Sequence, residues 1–261
     1  MHRSRLTLSA WLLAAWLLVT DKRGVSAKQV QRQLGVTYET AYMVLQRLRA
    51  SMVHPDRQRL RGRIEVDETF VGGVKHGRRG RELWAGKEGK FIVLGAVEVR
   101  SGLGEALEEL RRPGRIRLRL VADNRAATLL DFVSDSAVAG STIVTDGNSS
   151  YRGVEDLGYL HRIESTALGT PQKEVLTRAH LAFSNLKTWL AGTFHGRVEG
   201  KHLQGYLNEF CFRFNRRDNL PAAFQTVLGL APLVKGPTYA DLYAEGPERF
   251  LHAREPEIPF G

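Results

Sequence analysis

The spacing of apolar residues changes at residue 63, and this change limits what the chain can fold into more than any other feature. Before it, apolar side chains recur three and four residues apart, the period of an amphipathic helix. After it they alternate or run unbroken, as in strands buried on one face or on both. A small helical module followed by a mixed α/β domain is the arrangement implied, and 261 residues give each enough chain for its own core. The single cysteine excludes an internal disulfide and a four-cysteine zinc site.

The first apolar stretch, Leu6 to Val19, is uncharged and follows Arg3 and Arg5. It is too short to span a bilayer as a helix, and no small-x-small cleavage site follows closely. It reads as a buried first helix rather than a secretory leader. Ser26 then caps a short helix in which Ala27, Val30 and Leu34 share a face. Gly35-Val36 interrupts it, and Thr37 caps a second helix, Tyr38 to Met52, with Ala41, Val44, Leu45 and Leu48 inward. Two helices joined by a Gly-containing turn match a helix-turn-helix, although a plain helical hairpin has the same periodicity. In a helix-turn-helix, Tyr38, Glu39, Thr40 and Tyr42 stand where base edges are read. Arg47 and Arg49, near the end of that helix, complete the candidate DNA-binding set.

The formal net charge of +10 is unevenly spread. Residues 1–63 carry 12 Lys or Arg against 3 Asp or Glu, and the remainder carries 26 against 25. A compact basic segment ahead of a nearly balanced domain is the footprint of a nucleic-acid-reading head, with a merely solvated basic surface as the alternative. Arg57, Arg59, Arg61 and Arg63 alternate along a basic linker, residues 55–63, that could track phosphates.

Beyond the linker, Ile64, Val66 and Phe70 mark a strand ending at Gly72-Gly73. Further strands are expected at 91–99, along Ile116, Leu118 and Leu120, and at Ser141 to Thr145. Helices are expected over Ala126–Val138, Val175–Leu190 and Lys201–Arg217, and past Pro232 the pattern fades into a tail. Asp67 lies inside an apolar strand, with Glu65 on its own face and Val66 and Glu68 on the other. Such an acid is costly unless ionic partners or a metal occupy its face. Asp146 stands where a strand ends and the chain turns. Two carboxylates from different strands offer the hard oxygens that hold Mg2+ or Mn2+. A metal pair there would activate a nucleophilic oxygen and stabilise the leaving oxygen of a phosphodiester. The plainer alternatives are an Asp closing a strand and an Asp capping a turn.

Four strings, IEVDETFVGG, TDGNSSY, FSNLKTWLAGTFHG and YLNEFCFRFNRR, resemble the core of bacterial insertion-sequence transposases of the ISXO-like DDE type. They occur in collinear order, and the similarity covers residues 22–226. The resemblance implies a ribonuclease H-like fold, a site for two Mg2+ or Mn2+ ions, and cleavage and joining of DNA ends at terminal inverted repeats. Asp67 matches the first catalytic aspartate and Asp146 the second. The helix expected to carry the third acid has no Glu, since Glu174 precedes it and Glu199 follows it. The spacing of related transposases lands on His180, with Lys187 seven residues on and on the same helical face. Some members use Asn instead, which points to Asn185, roughly 140° around the helix from His180. A carbonyl oxygen suits magnesium better than an imidazole nitrogen. Asn185 is therefore the expected third residue, His180 its rival, and Lys187 a contact to DNA phosphate or the reacting end. Glu209, Arg213 and Arg216 resemble a Glu-Arg-Arg signature, a stripe that would bind DNA backbone through the arginines or form a Glu209–Arg213 salt bridge. His195 matches a recurring family position without an assigned role.

The expected organisation is a helix-turn-helix DNA-binding region at 1–54, the linker at 55–63, a ribonuclease H-like catalytic domain at 64–230 and a tail at 231–261. The expected activity is metal-dependent DNA strand cleavage and strand transfer, on double-stranded DNA at element ends and target. A homodimer is expected in the active complex, without a membrane, in the cytoplasm at the nucleoid. A catalytically inactive remnant that only binds DNA is the alternative.

Overall fold

The computed structural model describes residues 6–54, 56–72, 90–100, 112–165, 168–169, 175–195, 198–234, 236–238 and 241–242. In chain order come helices α1 (Leu8–Thr20), α2 (Ala27–Leu34) and α3 (Tyr38–Ala50), then strands β1 (Arg63–Val71), β2 (Phe91–Arg100) and β3 (Arg112–Val121). Helix α4 (Ala126–Ser136) leads to strands β4 (Thr142–Thr145) and β5 (Leu160–Ile163). Helices α5 (Thr177–Phe194), α6 (Gly200–Asn215) and α7 (Leu220–Leu230) complete the set. Residues 1–57 group with 189–261 into a helical unit, and residues 58–188 form a sheet unit. The expected boundary at 230 thus differs from the observed one. Residues of α6 and α7, expected from sequence within the catalytic domain, share a core with α1 and α3.

In the helical unit, Trp11, Ala14, Ala15, Leu18 and Val19 of α1 are buried against Val44, Leu45 and Leu48 of α3 and Phe212, Ala223, Val227 and Leu230. This burial is what the apolar opening stretch is for, and among the described residues no helix is long and apolar enough to cross a membrane. The expected caps are present. The Ser26 hydroxyl accepts the N–H of Gln29 at 3.2 Å, and that of Thr37 accepts the N–H of Thr40 at 3.3 Å. Between them Gly35 ends α2 in the left-handed conformation, φ +64°, which a side chain would resist. Helix α7 has no counterpart in the sequence reading. It is capped by Asn219, which accepts the N–H of Ala222.

The sheet unit has strand order β3-β2-β1-β4-β5, with β1–β2 and β2–β3 antiparallel and β1–β4 and β4–β5 parallel. This mixed sheet with helical cover is the expected ribonuclease H-like arrangement. On one face, Ile64, Val66, Ile92, Leu94, Ala96 and Ile143 pack with Leu129, Phe132 and Val133 of α4. The other face receives α5. Gly95 lies opposite Asp67 in the β1–β2 ladder, and a Cβ added there would come 2.4 Å from a ring carbon of Phe183. That close approach explains a glycine within the apolar run of β2.

The segment read as a linker is docked. Leu60 is fully buried, its N–H donates to the carbonyl of Ser136, and its carbonyl accepts the N–H of Val138. The N–H of Arg61 donates to Glu98, and Arg63 pairs with Glu164. Strand β5 was not foreseen: its four residues are mostly exposed and show no alternation. Residues 1–5, Pro55, Gly73, Glu174 and most of the tail lie outside the described residues.

Candidate active site

Strand β1 carries its acids on alternate faces. Glu65 and Asp67 point toward α5, and Glu68 points to the opposite face beside Val66. Glu65 is buried, and one carboxylate oxygen accepts the N–H groups of Arg178 (2.7 Å) and Ala179 (2.9 Å). Those are first-turn amides of α5, which have no partner within the helix. Burial pushes the Glu65 carboxyl up, while these two amides and the charges of Arg178 and Arg63 pull it back. The expected partner of an acid on this face is therefore, for Glu65, a helix N-terminus. Just before it, fully buried Leu176 holds φ at +42°.

Fixing the start of α5 in this way brings His180 to Asp67. The imidazole Nε2 stands 3.2 Å from Oδ2 of Asp67, whose side chain is 13% exposed. Oδ1 of Asp67 accepts the N–H of Glu68 at 2.8 Å. Burial raises the Asp67 carboxyl to about 6; the Glu68 amide opposes this, the charges of Glu68 and Asp146 add to it, and His180 opposes it.

Asp146 follows β4 directly. The parallel β1–β4 ladder ends with Glu65 opposite Val144, so Asp67 and Asp146 each lie two residues beyond the last matched pair. Adjacent strands are about 4.8 Å apart, which puts both carboxylates at one level of the sheet. Asp146 is exposed, and its Oδ1 accepts the N–H of Asn148 at 2.9 Å. Among the described residues, no three His, Cys, Asp or Glu side chains already converge as a metal cage. The contacts present are Asp67 with His180 and the charge interaction of Asp67 with Asp146.

Asn185, the expected third residue, is exposed five positions beyond His180, and His180 takes the place at Asp67. The reason is rotation: the Glu65 cap sets which side of α5 faces β1, and Phe183 on Gly95 follows from the same setting. Lys187 is exposed on the stripe of His180 two turns on. His195 leaves α5 at φ +53°, a left-handed exit that gives this position a backbone role.

The expected DNA-binding residues divide. Tyr38 is 42% exposed, Thr40 and Tyr42 are half-buried, and the two tyrosine rings stack at 6.1 Å. Arg47 donates from Nε to the carbonyl of Pro237. Arg49 is a correction: it is 2% exposed, donates from Nε to Glu209 at 2.8 Å, and lies over the Tyr206 ring. An arginine so enclosed does not reach a phosphate. Arg213 is a second correction, since it donates to Glu209 and to the carbonyl of Asp21. Arg216 is half-buried over the Phe212 ring, 4.1 Å from its centre, and burial lowers its pKa. Of the two readings of the Glu-Arg-Arg stripe, the Glu209–Arg213 salt bridge is the one present, and it is an interior contact because Glu209 is fully buried.

Unforeseen in role were Glu68, Asn148 and Tyr151. Asn148 Nδ2 and the Tyr151 hydroxyl donate to the two carboxylate oxygens of Glu68, at 3.0 and 3.1 Å. All three stand in the quoted strings IEVDETFVGG and TDGNSSY, so co-occurrence of the strings was their only signal.

Sheet order, with one aspartate within β1 and the other just past the end of the neighbouring β4, fits a ribonuclease H-like transposase fold. The ISXO2-like transposase domain matches residues 59–215, and the chain belongs to this family of insertion-sequence transposases. It is thereby a DNA transposase, an enzyme of the nuclease and transferase type. No curated protein matches the chain.

Proposed function

We propose that the protein cleaves the ends of an insertion sequence and joins them to target DNA, using divalent ions held by Asp67, Asp146 and His180. The observation that carries this is the 3.2 Å contact of Asp67 with His180, with Asp146 two residues past the β1–β4 ladder on the neighbouring strand. The donor set fits the ions. Two carboxylates offer hard oxygens, and Asp67, desolvated and beside like charges, is raised to about 6, a strain that a cation relieves. The imidazole favours Mn2+ over Mg2+ relative to an all-oxygen site. Bound there, two such ions supply the charge that favours attack on a phosphodiester and departure of its oxygen.

The chain's own residues do the positioning. Glu65 orients the helix that presents His180, and Lys187 on the same stripe is placed to meet a phosphate of the reacting strand. Helices α2 and α3 form the helix-turn-helix, with Tyr38 and Thr40 toward the bases; Tyr42, expected there too, instead packs edge-on against His202 of α6. Joining two ends requires at least two copies in the active complex. Asp67→Asn is expected to retain binding to an element end while abolishing metal-dependent nicking of a labelled end. Nicking that persists in that variant would sink the mechanism.

A further inference from the structure

Glu68 stands outside the donor set of Asp67, Asp146 and His180, yet it is wired to both aspartates. Its own N–H donates to Oδ1 of Asp67 (2.8 Å), and its side-chain Oε1 accepts from Asn148 Nδ2 (3.0 Å). The backbone N–H of Asn148 in turn donates to Oδ1 of Asp146 (2.9 Å). Asn148 is itself oriented, because its Oδ1 accepts the N–H of Ser150 (3.0 Å). The second Glu68 oxygen accepts from the hydroxyl of Tyr151, a fully buried ring. Linked through the side chains of Glu68 and Asn148, three hydrogen bonds therefore join the Oδ1 atoms of the two aspartates, and the ones that cross from β1 to the turn after β4 are those to the Glu68 carboxylate.

The need for such a path follows from the ladder. Backbone pairing between β1 and β4 stops at Glu65 and Val144, two residues short of the aspartates. Beyond that point like charges push Asp67 and Asp146 apart, and Asp146 sits on an exposed turn. A side-chain tie takes over where the ladder ends.

We propose that Glu68, with Asn148 and Tyr151, is a positioning clamp that sets the spacing of Asp67 and Asp146, and hence their hold on a divalent ion, without touching the ion. This rests on the metal reading above. A clamp needs hydrogen-bond geometry rather than charge. Gln at position 68 accepts from Asn148 through its oxygen and donates to the Tyr151 oxygen, since a phenol serves as donor or acceptor. A ligand to the ion would need the carboxylate.

The test is Mn2+ binding to the full chain, read by electron paramagnetic resonance of free Mn2+, with thermal melting to verify folding. Glu68→Ala is expected to weaken binding ~10–100-fold, Tyr151→Phe to fall between, and Glu68→Gln to stay within about threefold of wild type. Loss in Glu68→Gln equal to that in Glu68→Ala overturns the clamp in favour of a ligand. Wild-type binding in a folded Glu68→Ala overturns it outright. If Glu68→Ala does not fold, wild-type binding in Tyr151→Phe overturns it and weakened binding there, with Glu68→Gln near wild type, supports it. Asp67→Asn separates the two levels. Undiminished Mn2+ binding in that variant defeats the metal reading and the clamp with it, whereas binding lost in Asp67→Asn but kept in Glu68→Ala defeats the clamp alone.

Discussion

Asp67 and His180 are 3.2 Å apart across an interface between a strand and a helix, and a histidine there changes what the neighbouring aspartates have to do. A carboxylate in that position would add a third negative charge to a partly buried group. The imidazole instead opposes the rise of the Asp67 carboxyl. Removing it is expected to cost metal-dependent cleavage roughly a hundredfold, as for loss of one charge-stabilising group. His180→Ala and Asn185→Ala, compared in a nicking assay with Mn2+, make this concrete: the Asn185 variant is expected to cleave like wild type. A dead Asn185 variant beside an active His180 variant reverses the assignment. Asp67 and Asp146 were legible in the sequence because each violates a local expectation, an acid within an apolar strand and an acid where a strand stops. His180 and Asn185 flank the buried stripe of Ala182, Phe183 and Leu186 on opposite sides of one helix, and nothing in the helix itself says which flank meets β1. Arg49 was misread for the same reason: its charge is plain in the sequence, but its partner Glu209 is 160 residues away.

Helix α5 owes its rotation to a carboxylate two residues before the first aspartate. Glu65 closes two first-turn amides, and its negative charge also matches the positive end of the helix. Glu65→Ala is expected to lower stability by about 2 kcal/mol, combining a lost cap with an uncovered buried amide pair. Denaturant unfolding measures this, and an unchanged midpoint would show that the cap is dispensable. Glu65→Gln retains one acceptor oxygen and should recover part of the loss. Most elements were legible from periodicity and caps: α1 to α3, β1 to β4 and the two long helices beyond them. The exceptions are instructive. Strand β5 is four residues long with three exposed, so no pattern of burial is written into it. Helix α7 contains Pro221 and Gly229, which mask its apolar spacing until Ala223, Val227 and Leu230 are seen against α1.

For the whole molecule, charge divides less sharply by structure than by sequence. The helical unit carries 17 Lys or Arg against 11 Asp or Glu, and the sheet unit 21 against 17. Part of the early excess belongs to Arg59, Arg61 and Arg63, which are docked on the sheet unit rather than strung along a free linker. There Glu98 holds the segment: burial pushes its carboxyl up, but Arg115 and the Arg61 amide outweigh burial and hold it below its ordinary value of 4.5. A carboxyl lowered by folding contributes stability that is present above the unfolded pKa and is lost as pH falls through the folded one. Glu98→Gln is expected to reduce stability at pH 7 by about 2 kcal/mol, since charged hydrogen bonds are lost, and to flatten the decline below pH 4.5. Melting curves from pH 3 to 7 for both proteins test this, and parallel curves would remove Glu98 from the acid response.

The helical core is assembled from the two ends of the chain, with Leu18 and Val44 from one and Phe212, Val227 and Leu230 from the other. During synthesis the first 57 residues emerge long before their packing partners, and the sheet unit is complete in between. A gene copy interrupted by a frameshift ahead of residue 200 would therefore encode the helices at 27–50 intact and still yield no finished helical core. Damage late in the gene thus removes the packing partners of the chain's early helices as well as its late ones.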